Sequence, residues 1–430
     1  METVVNPERA EWPWLMRRAR QDDDAIAARV AQIVEQVRAE GDEALRALTA
    51  EIDGVLLESL EVTSAEIGEA AGRVSDALKS ALGVAVENIE RFHRAQRSAD
   101  IEVETMPGVR CLQRAVPIRR VGLYVPGGTA PLFSTVLMLA IPARVAGCSE
   151  VVLCTPCNSE GGVAPEILYA ARLCGVNRIF KVGGAQAIAA MAFGTRTIPA
   201  VDKIFGPGNR YVTRAKQLLS MDTVAIDMPA GPSEVMVLAD DTARPEFAAA
   251  DLLSQAEHGA DSQSVLVCTS RAFADRVVHA VEEQLKTLSR AAAARGALEN
   301  SRIVVMDVPD EMIAFANAYA AEHLIISMQD PWSVSERITA AGSIFIGNYT
   351  PESVGDYASG TNHTLPTAGW ARAYSGVNLD SFVRKITYQE ITPQGLRRIG
   401  TTVTAMAEAE GLDAHANAVK IRLTALKTED

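Results

Sequence analysis

Nowhere in this sequence do about 18 apolar residues run without interruption, so no helix is expected to cross a membrane. Positive charge is in deficit. The 41 basic and 54 acidic side chains leave a net charge of −13, which disfavours general attraction to nucleic acid or anionic lipid. A local basic pocket for a dinucleotide phosphate stays compatible with that balance. The opening stretch METVVNPERAEWPWLMRRARQDDD has acids and a Trp-Pro-Trp where a secretion signal needs a continuous apolar run, which predicts no such signal. Among the six cysteines, only Cys154 and Cys157 form a C-x-x-C. No second pair and no nearby histidine completes a metal set, and Pro156 lies between the two. Two small residues at the end of a buried strand are preferred here over a redox pair or half a zinc site. Reduced cysteines fit a soluble, cytoplasmic protein.

What is present reads as an ordinary globular chain. Its 430 residues are 48% hydrophobic and 22% charged, a length that suggests two or three domains. Residues about 20–50 carry an amphipathic helical pattern through Ile26, Val30, Ile33, Val37 and Leu45, broken at Gly41. Residues 63–98 also read as helix, with Thr63 and Glu66 spaced as a capping box. The pattern then changes to short apolar runs such as RRVGLYV, EVVLCT, RIFKV and DKIF, alternating with helices of about ten residues. A second such set begins at EVMVLAD and ends at SIFIGN. The tail, PQGLRRIGTTVTAMAEAEG and AHANAVKIRLTAL, is helical again.

The predicted fold is α/β: two doubly wound, incomplete Rossmann-like parallel-sheet domains, with a helical N-terminal segment and a helical C-terminal tail. The expected boundaries are an extension at 1–20, a helical segment at 21–120 packing on the second α/β domain, α/β domains at 121–234 and 235–378, and a tail at 379–430. Asp22, Asp23 and Asp24 read as a solvated helix start.

Open parallel sheets bind ligands at the carboxyl ends of their strands, where helix N-termini offer free N–H groups. Three glycine turns sit at such ends: Val125-Pro126-Gly127-Gly128, Val182-Gly183-Gly184-Ala185-Gln186 and Phe205-Gly206-Pro207-Gly208-Asn209. None is a G-x-G-x-x-G or a phosphate loop. Each alone could merely permit a tight turn; three in successive units of one sheet favour a shared ligand crevice.

Of the six histidines, His93 and His279 lie in plain amphipathic helices and read as packing or surface residues. Gln255 and His258 are three residues apart on a helix, so an amide oxygen and an imidazole could hold a metal together, although a polar helix end explains the segment as well. Glu322-His323 reads as the end of a helix. Imidazole moves protons near neutral pH and an adjacent carboxylate can activate water. The stretch from Gly355 to His363, with Asp356, is dense in glycine and polar side chains, as binding loops are. Glu410 and His415 flank a helix break at Gly411.

From roughly residue 20 to residue 423 the chain resembles the histidinol dehydrogenase family. The strings that carry the resemblance are VGLYVPGGTAPLFSTVLMLAIPARVAG, VGGAQAIAAMAFGT, VDKIFGPGNRYV, DMPAGPSEV, ADLLSQAEHG, AEHLII, TPESVGDYASGTNHTLPT and AEAEGLDAH. Their order and spacing together make the likeness specific. The resemblance implies oxidation of L-histidinol through bound L-histidinaldehyde to L-histidine by two hydride transfers to NAD, the last steps of histidine biosynthesis. It implies one Zn2+ per subunit held by Gln255, His258, Asp356 and His415, with Glu322 and His323 as the catalytic pair. It further implies substrate contacts from Ser233, Gln255, His258, His323, Asp356, Glu410 and His415, and NAD contacts from Tyr124, Gln186 and Asn209. The NAD side would be 121–234, with zinc and catalysis in 235–378. A homodimer follows in which the tail at 379–430 crosses to the partner, so that the active sites are shared; no nucleic acid or membrane partner follows. Arg196 and Ala200 replace residues that are often acidic and basic in the family.

Two other readings compete. A zinc- and NAD-dependent dehydrogenase of another small polar alcohol, such as a sulfonated diol, would share the same scaffold. Glu410 and Ser233 suit a cationic amine and an imidazole better than a sulfonate. A non-catalytic metabolite-binding protein would have less reason to keep every reactive position.

Overall fold

The computed structural model describes residues 1–18, 23–127, 131–229 and 231–428, which leaves Gly128 and Asp22 outside the described residues. The chain divides into two compact units. One comprises Met1–Gln96 with Ile118–Phe382, and the other Arg97–Pro117 with Val383–Asp430. The described strands, in chain order, are β1 (Glu2–Val5), β2 (Ile101–Met106), β3 (Val109–Pro117), β4 (Arg120–Tyr124), β5 (Glu150–Thr155), β6 (Arg178–Lys181), β7 (Lys203–Phe205), β8 (Ala225–Ile226), β9 (Glu234–Ala239), β10 (Gln263–Cys268), β11 (Arg302–Val305), β12 (His323–Ser327), β13 (Ser343–Ile346) and β14 (Val383–Ile391).

The larger unit holds two parallel sheets, as the alternating pattern predicted. One runs β6-β5-β4-β7-β8 and the other β1-β11-β10-β9-β12-β13. Their central strands are buried on both faces, so they read as near-continuous apolar runs rather than alternating ones. Every residue of β9 and β10 is buried. The second sheet gains a strand the sequence reading left in the N-terminal extension, since β1 pairs with β11 through Glu2–Arg302 to Val5–Val305.

The early residues are helical as expected, but 63–98 divides into two helices, Ser64–Arg73 and Asp76–Ala95, at the extended Val74 and the cap Ser75. Thr63 accepts the Glu66 N–H at 3.2 Å while the Glu66 carboxylate accepts the Thr63 N–H at 2.8 Å, closing the capping box. Gly41, at φ +58°, separates helix Asp23–Glu40 from helix Asp42–Ile52. Their partner is a correction: they pack on the first sheet, not the second. Helix Asp23–Glu40 lies against Gly184–Phe193 and Arg210–Leu219, Ser64–Arg73 against Pro165–Leu173, and Asp76–Ala95 against Phe133–Ala146. Val30, Ile33, Val37 and Leu45 share one core with Ile188, Met191 and Ile204. Periodicity marks an apolar stripe, but not the surface that receives it.

The smaller unit corrects a second expectation. Residues 101–117 and 383–391, read as parts of helical segments, form an antiparallel sheet of order β14-β3-β2, in register from Val383–Pro117 to Ile391–Val109. Most side chains of β2 and β14 are exposed, so no apolar alternation announces them. Helices Pro393–Ala409 and Asp413–Thr428, expected from the tail pattern, pack together, Gly400 lying against Leu423 and Val419. Among the described residues no helix is long and apolar enough to cross a membrane.

Candidate active site

In the first sheet the chain winds from β4 to β5 on one side and returns to β7 on the other, so β4 and β7 flank the switch point where open α/β sheets bind ligands. The turn after β7 is built for close approach. Gly206 has φ +128°, and a Cβ there would lie 2.1 Å from the main-chain oxygen of Tyr124. The Gly206 N–H donates to Asp227 Oδ2 at 2.8 Å, and Lys216 Nζ donates to the Gly206 carbonyl at 2.8 Å. Lys216 and Asp227 are themselves a buried ion pair at 2.5 Å. Asn209 caps helix Arg210–Leu219 by accepting the N–H groups of Tyr211 and Val212 at 3.0 and 3.1 Å.

The second sheet presents its opposite edge. Ser233 precedes β9, and Glu322-His323 leads into β12, which pairs with β9 through His323–Val235. This corrects the expected placement of the acid–base pair on a helix end. Helix Pro309–Tyr319 stops at Ala320, whose φ is +55°. Gln255 lies in the last turn of helix Pro245–Ala256, with His258 just beyond it, and Asp356 lies near the end of helix Glu352–Tyr357. Helix Pro245–Ala256 connects the parallel neighbours β9 and β10 and so runs antiparallel to them, which brings its C-terminal end, with Gln255, to the amino edge of the sheet.

Both edges face one cavity of about 540 Å³. Pro126 and Gly206–Asn209 line it from the first sheet, and Ser233, Gln255, His258, Glu322, His323 and Asp356 from the second. Of the residues expected to contact NAD, Asn209 lines the cavity. Tyr124 and Gln186 are buried away from it, with the Tyr124 hydroxyl accepting the Gly184 N–H at 3.0 Å. Arg196 and Ala200 also lie outside the lining. The Arg196 Nε is 3.6 Å from Asp42, and the Ala200 carbonyl accepts from Arg120 at 2.7 Å. Glu410 and His415 belong to the smaller unit. Glu410 follows helix Pro393–Ala409 and His415 sits in the first turn of helix Asp413–Thr428, both exposed.

His323 is the centre of charge. Its Nε2 is 3.4 Å from Asp356 Oδ1, and its Nδ1 is 3.7 Å from Glu322 Oε2 and 4.0 Å from Glu352 Oε1. Burial works against the imidazolium, but Glu352, Glu322 and Asp356 outweigh it and raise the His323 pKa to about 10. Burial pushes the Glu322 carboxyl up to about 8, against the pull of His323. Burial also acts to raise Asp356, yet the hydrogen bond and charge of His323 hold it below the ordinary carboxylate range.

Glu352 was missed in the sequence. It is buried, and neither carboxylate oxygen has a hydrogen-bond partner. Its signal was its position four residues before Asp356, hence on the same helix face. Ligand atoms of His258, Glu352 and Asp356 all lie within 4.8 Å of one another. Gln255 is fully buried with neither amide atom hydrogen-bonded. A buried unsatisfied amide is costly, and coordination by its oxygen would satisfy it, so this donor set fits a divalent cation. His363 also lines the cavity, its Nδ1 2.9 Å from the Asp356 carbonyl and its Nε2 3.3 Å from the Thr135 hydroxyl.

Neither cysteine of the C-x-x-C lines the cavity. Cys154 is fully buried in β5, and burial raises both thiols, which agrees with the packing reading. His93 is buried and bonded through Nδ1 to the Ile89 carbonyl at 2.8 Å, while His279 is exposed, as their helical setting implied.

A ligand crevice at the switch point of a parallel sheet, opening onto a buried acid–imidazole cluster, is the arrangement of an α/β enzyme site suited to proton transfer. Comparison with known proteins narrows the class. The family model described as histidinol dehydrogenase matches residues 16–423. The chain is 56% identical over 427 residues to the histidinol dehydrogenase of Bacteroides thetaiotaomicron, covering 99% of this chain and 100% of that one. It is 53% identical over 414 residues to that of Yersinia pestis, covering 96% and 93%. The crystal structure of histidinol dehydrogenase from Elizabethkingia anophelis superposes with a TM-score of 0.96 at 51% identity, covering 99% of each chain. This chain belongs to the histidinol dehydrogenase family.

Proposed function

We propose that the protein oxidises L-histidinol through bound L-histidinaldehyde to L-histidine, reducing two NAD, as a zinc-dependent cytoplasmic homodimer. The observation that carries this reading is the convergence of Gln255, His258, Glu322, His323 and Asp356 on one cavity that also reaches the turn at Asn209. Family membership supports the same substrate and cofactor.

Gln255, His258 and Asp356 would hold the zinc ion, completed by His415 of the partner subunit. When bound, the ion supplies a fixed positive anchor that orients the amino alcohol and weakens proton binding in the acidic cluster. Ser233, together with Glu410 of the partner subunit, contacts the substrate in this reading. The Glu234 carbonyl, 3.3 Å from His323 Nδ1, holds the imidazole so that Nε2 faces the reacting hydroxyl.

His323 takes the hydroxyl proton as hydride leaves for the first NAD. Glu322 removes a proton from a water that adds to the aldehyde carbon. A carboxyl pushed up to about 8 is a stronger base than an ordinary carboxylate, which suits that step. The proton held by His323 passes to the aldehyde oxygen as the hydrate forms; His323, neutral again, then removes a proton from the hydrate as the second hydride leaves, and the resulting acid releases its proton to give the carboxylate. Tyr124, Gln186 and Asn209 are proposed for the NAD side, Asn209 as the residue in the crevice and the other two as supports of the turns beneath it.

The test follows NADH formation by the purified protein with L-histidinol, before and after chelation. Two NADH per alcohol, lost on chelation and restored by zinc, is the expected result. A single NADH per alcohol, or turnover indifferent to the chelator, overturns it.

A further inference from the structure

Glu234 was not singled out in the sequence, yet it touches both members of the acid–base pair through its main chain. Its N–H donates to Glu322 Oε2 at 2.8 Å, and its carbonyl lies 3.3 Å from His323 Nδ1. One residue thereby sets where the carboxylate sits and which imidazole nitrogen is left for the cavity. Its own side chain, 3% exposed, is held by Arg18. The guanidinium donates from Nε to Glu234 Oε1 at 2.6 Å and from Nη2 to Oε2 at 2.9 Å, while Nη2 also reaches the Tyr319 carbonyl at 2.9 Å. A third donor, the Ala368 N–H, meets Glu234 Oε1 at 2.6 Å.

The clamp is itself anchored. The Arg18 guanidinium lies 4.2 Å from the centre of the Tyr319 ring, and the Tyr319 hydroxyl donates to Gln263 Oε1 at 2.6 Å. Gln263 Nε2 then donates to the Arg17 carbonyl at 2.9 Å. The chain just before Arg18 is thus tied to the head of β10, next to β9. A fork-to-fork arginine–carboxylate pair fixes a plane as well as a distance, which a lysine ammonium cannot do.

We propose that Arg18 is a positioning residue for the oxidation: by clamping Glu234 it fixes a residue whose main chain orients both Glu322 and His323. Arg18 lines no part of the cavity. The proposal rests on the reading that Glu322 and His323 carry the proton transfers, because only then does their orientation limit the rate.

The experiment compares the zinc-loaded parent with Arg18→Ala, Arg18→Lys and the double variant Arg18→Met/Glu234→Met, which leaves no unpaired charge buried. If the parent itself does not reduce NAD with L-histidinol, the underlying reading fails and the clamp is not the cause. With an active parent, Arg18→Ala should lose about 10²-fold in kcat, the scale of a misplaced catalytic group, while KM for L-histidinol changes little. Guanidinium ion, added well below denaturing concentration, should restore much of that kcat in Arg18→Ala, and Arg18→Lys should stay low. The double variant should be slow and indifferent to guanidinium; it decides the matter if Arg18→Ala does not fold. Parental kcat in Arg18→Lys or in the double variant, a loss confined to KM, or no rescue in folded Arg18→Ala would overturn the proposal.

Discussion

His323 and Asp356 meet inside the cavity with Nε2 3.4 Å from Oδ1, while the other ring nitrogen is engaged by the Glu234 carbonyl. The imidazole is therefore fixed on one side by main chain and faces a proposed metal ligand on the other. Replacing it should separate proton transfer from metal binding. His323→Asn is expected to keep a full metal complement and to lose turnover by about 10²–10⁴-fold, the usual contribution of a general base. Metal content by atomic absorption, measured beside NADH formation, checks both halves; unchanged turnover defeats the base assignment.

The turn after β7 makes a different demand. A Cβ at Gly206 would collide with backbone, the Tyr124 oxygen at 2.1 Å, and φ is +128°. Gly206→Ala should therefore displace the Asn209 turn, raise KM for NAD and lower stability by roughly 1–3 kcal/mol. Thermal melting and a titration with NAD test this, and parental values for both would show that the crevice does not need this close approach.

Asp251, 9% exposed, has its carboxyl pushed up to about 7 by burial, only partly relieved by the Glu352 N–H. A folded-state pKa above the ordinary 3.8 means that the native protein holds this proton more tightly than the unfolded chain. Its contribution is fully present below about pH 4 and is lost as pH rises through about 7. Asp251→Asn should therefore gain stability relative to the parent across that window, by a few kcal/mol at most, on the order of 2–4. A melting-temperature difference that does not grow between pH 4 and 8 contradicts the assignment.

The tail residue His415 tests the proposed dimer. His415→Ala alone should deplete bound zinc. Unfolding together and refolding His323→Asn and His415→Ala chains, each inactive by itself, should regenerate activity in mixed dimers, because one site then receives an intact His415 of the partner subunit. No recovery in a mixture proven to contain mixed dimers counts against the exchange.

Much of the site was legible because its residues are chemically unusual for their surroundings. Gln255 and His258 show their helical spacing, and Glu322-His323 stands out before an apolar run. Glu352 was passed over because a lone glutamate after a proline resembles a solvated helix start, which it would be if the fold did not bury it. Glu234 and Arg18 were invisible for another reason. Glu234 acts through its main-chain N–H and C=O, which every non-proline residue carries, and Arg18 lies 216 positions away from it.

By itself the sequence determined the alternation of strand and helix that makes two parallel sheets, the break at Gly41, the cap at Thr63 and the packing of Cys154 at the end of a buried strand, because each depends on neighbours within a few positions. Only the tertiary structure decided that the early helices cover the first sheet, that 101–117 pairs with 383–391, and that the carboxyl edge of one sheet opens onto the amino edge of the other. Those outcomes depend on which surfaces meet across hundreds of residues, and a local pattern of apolar and polar side chains does not encode its partner.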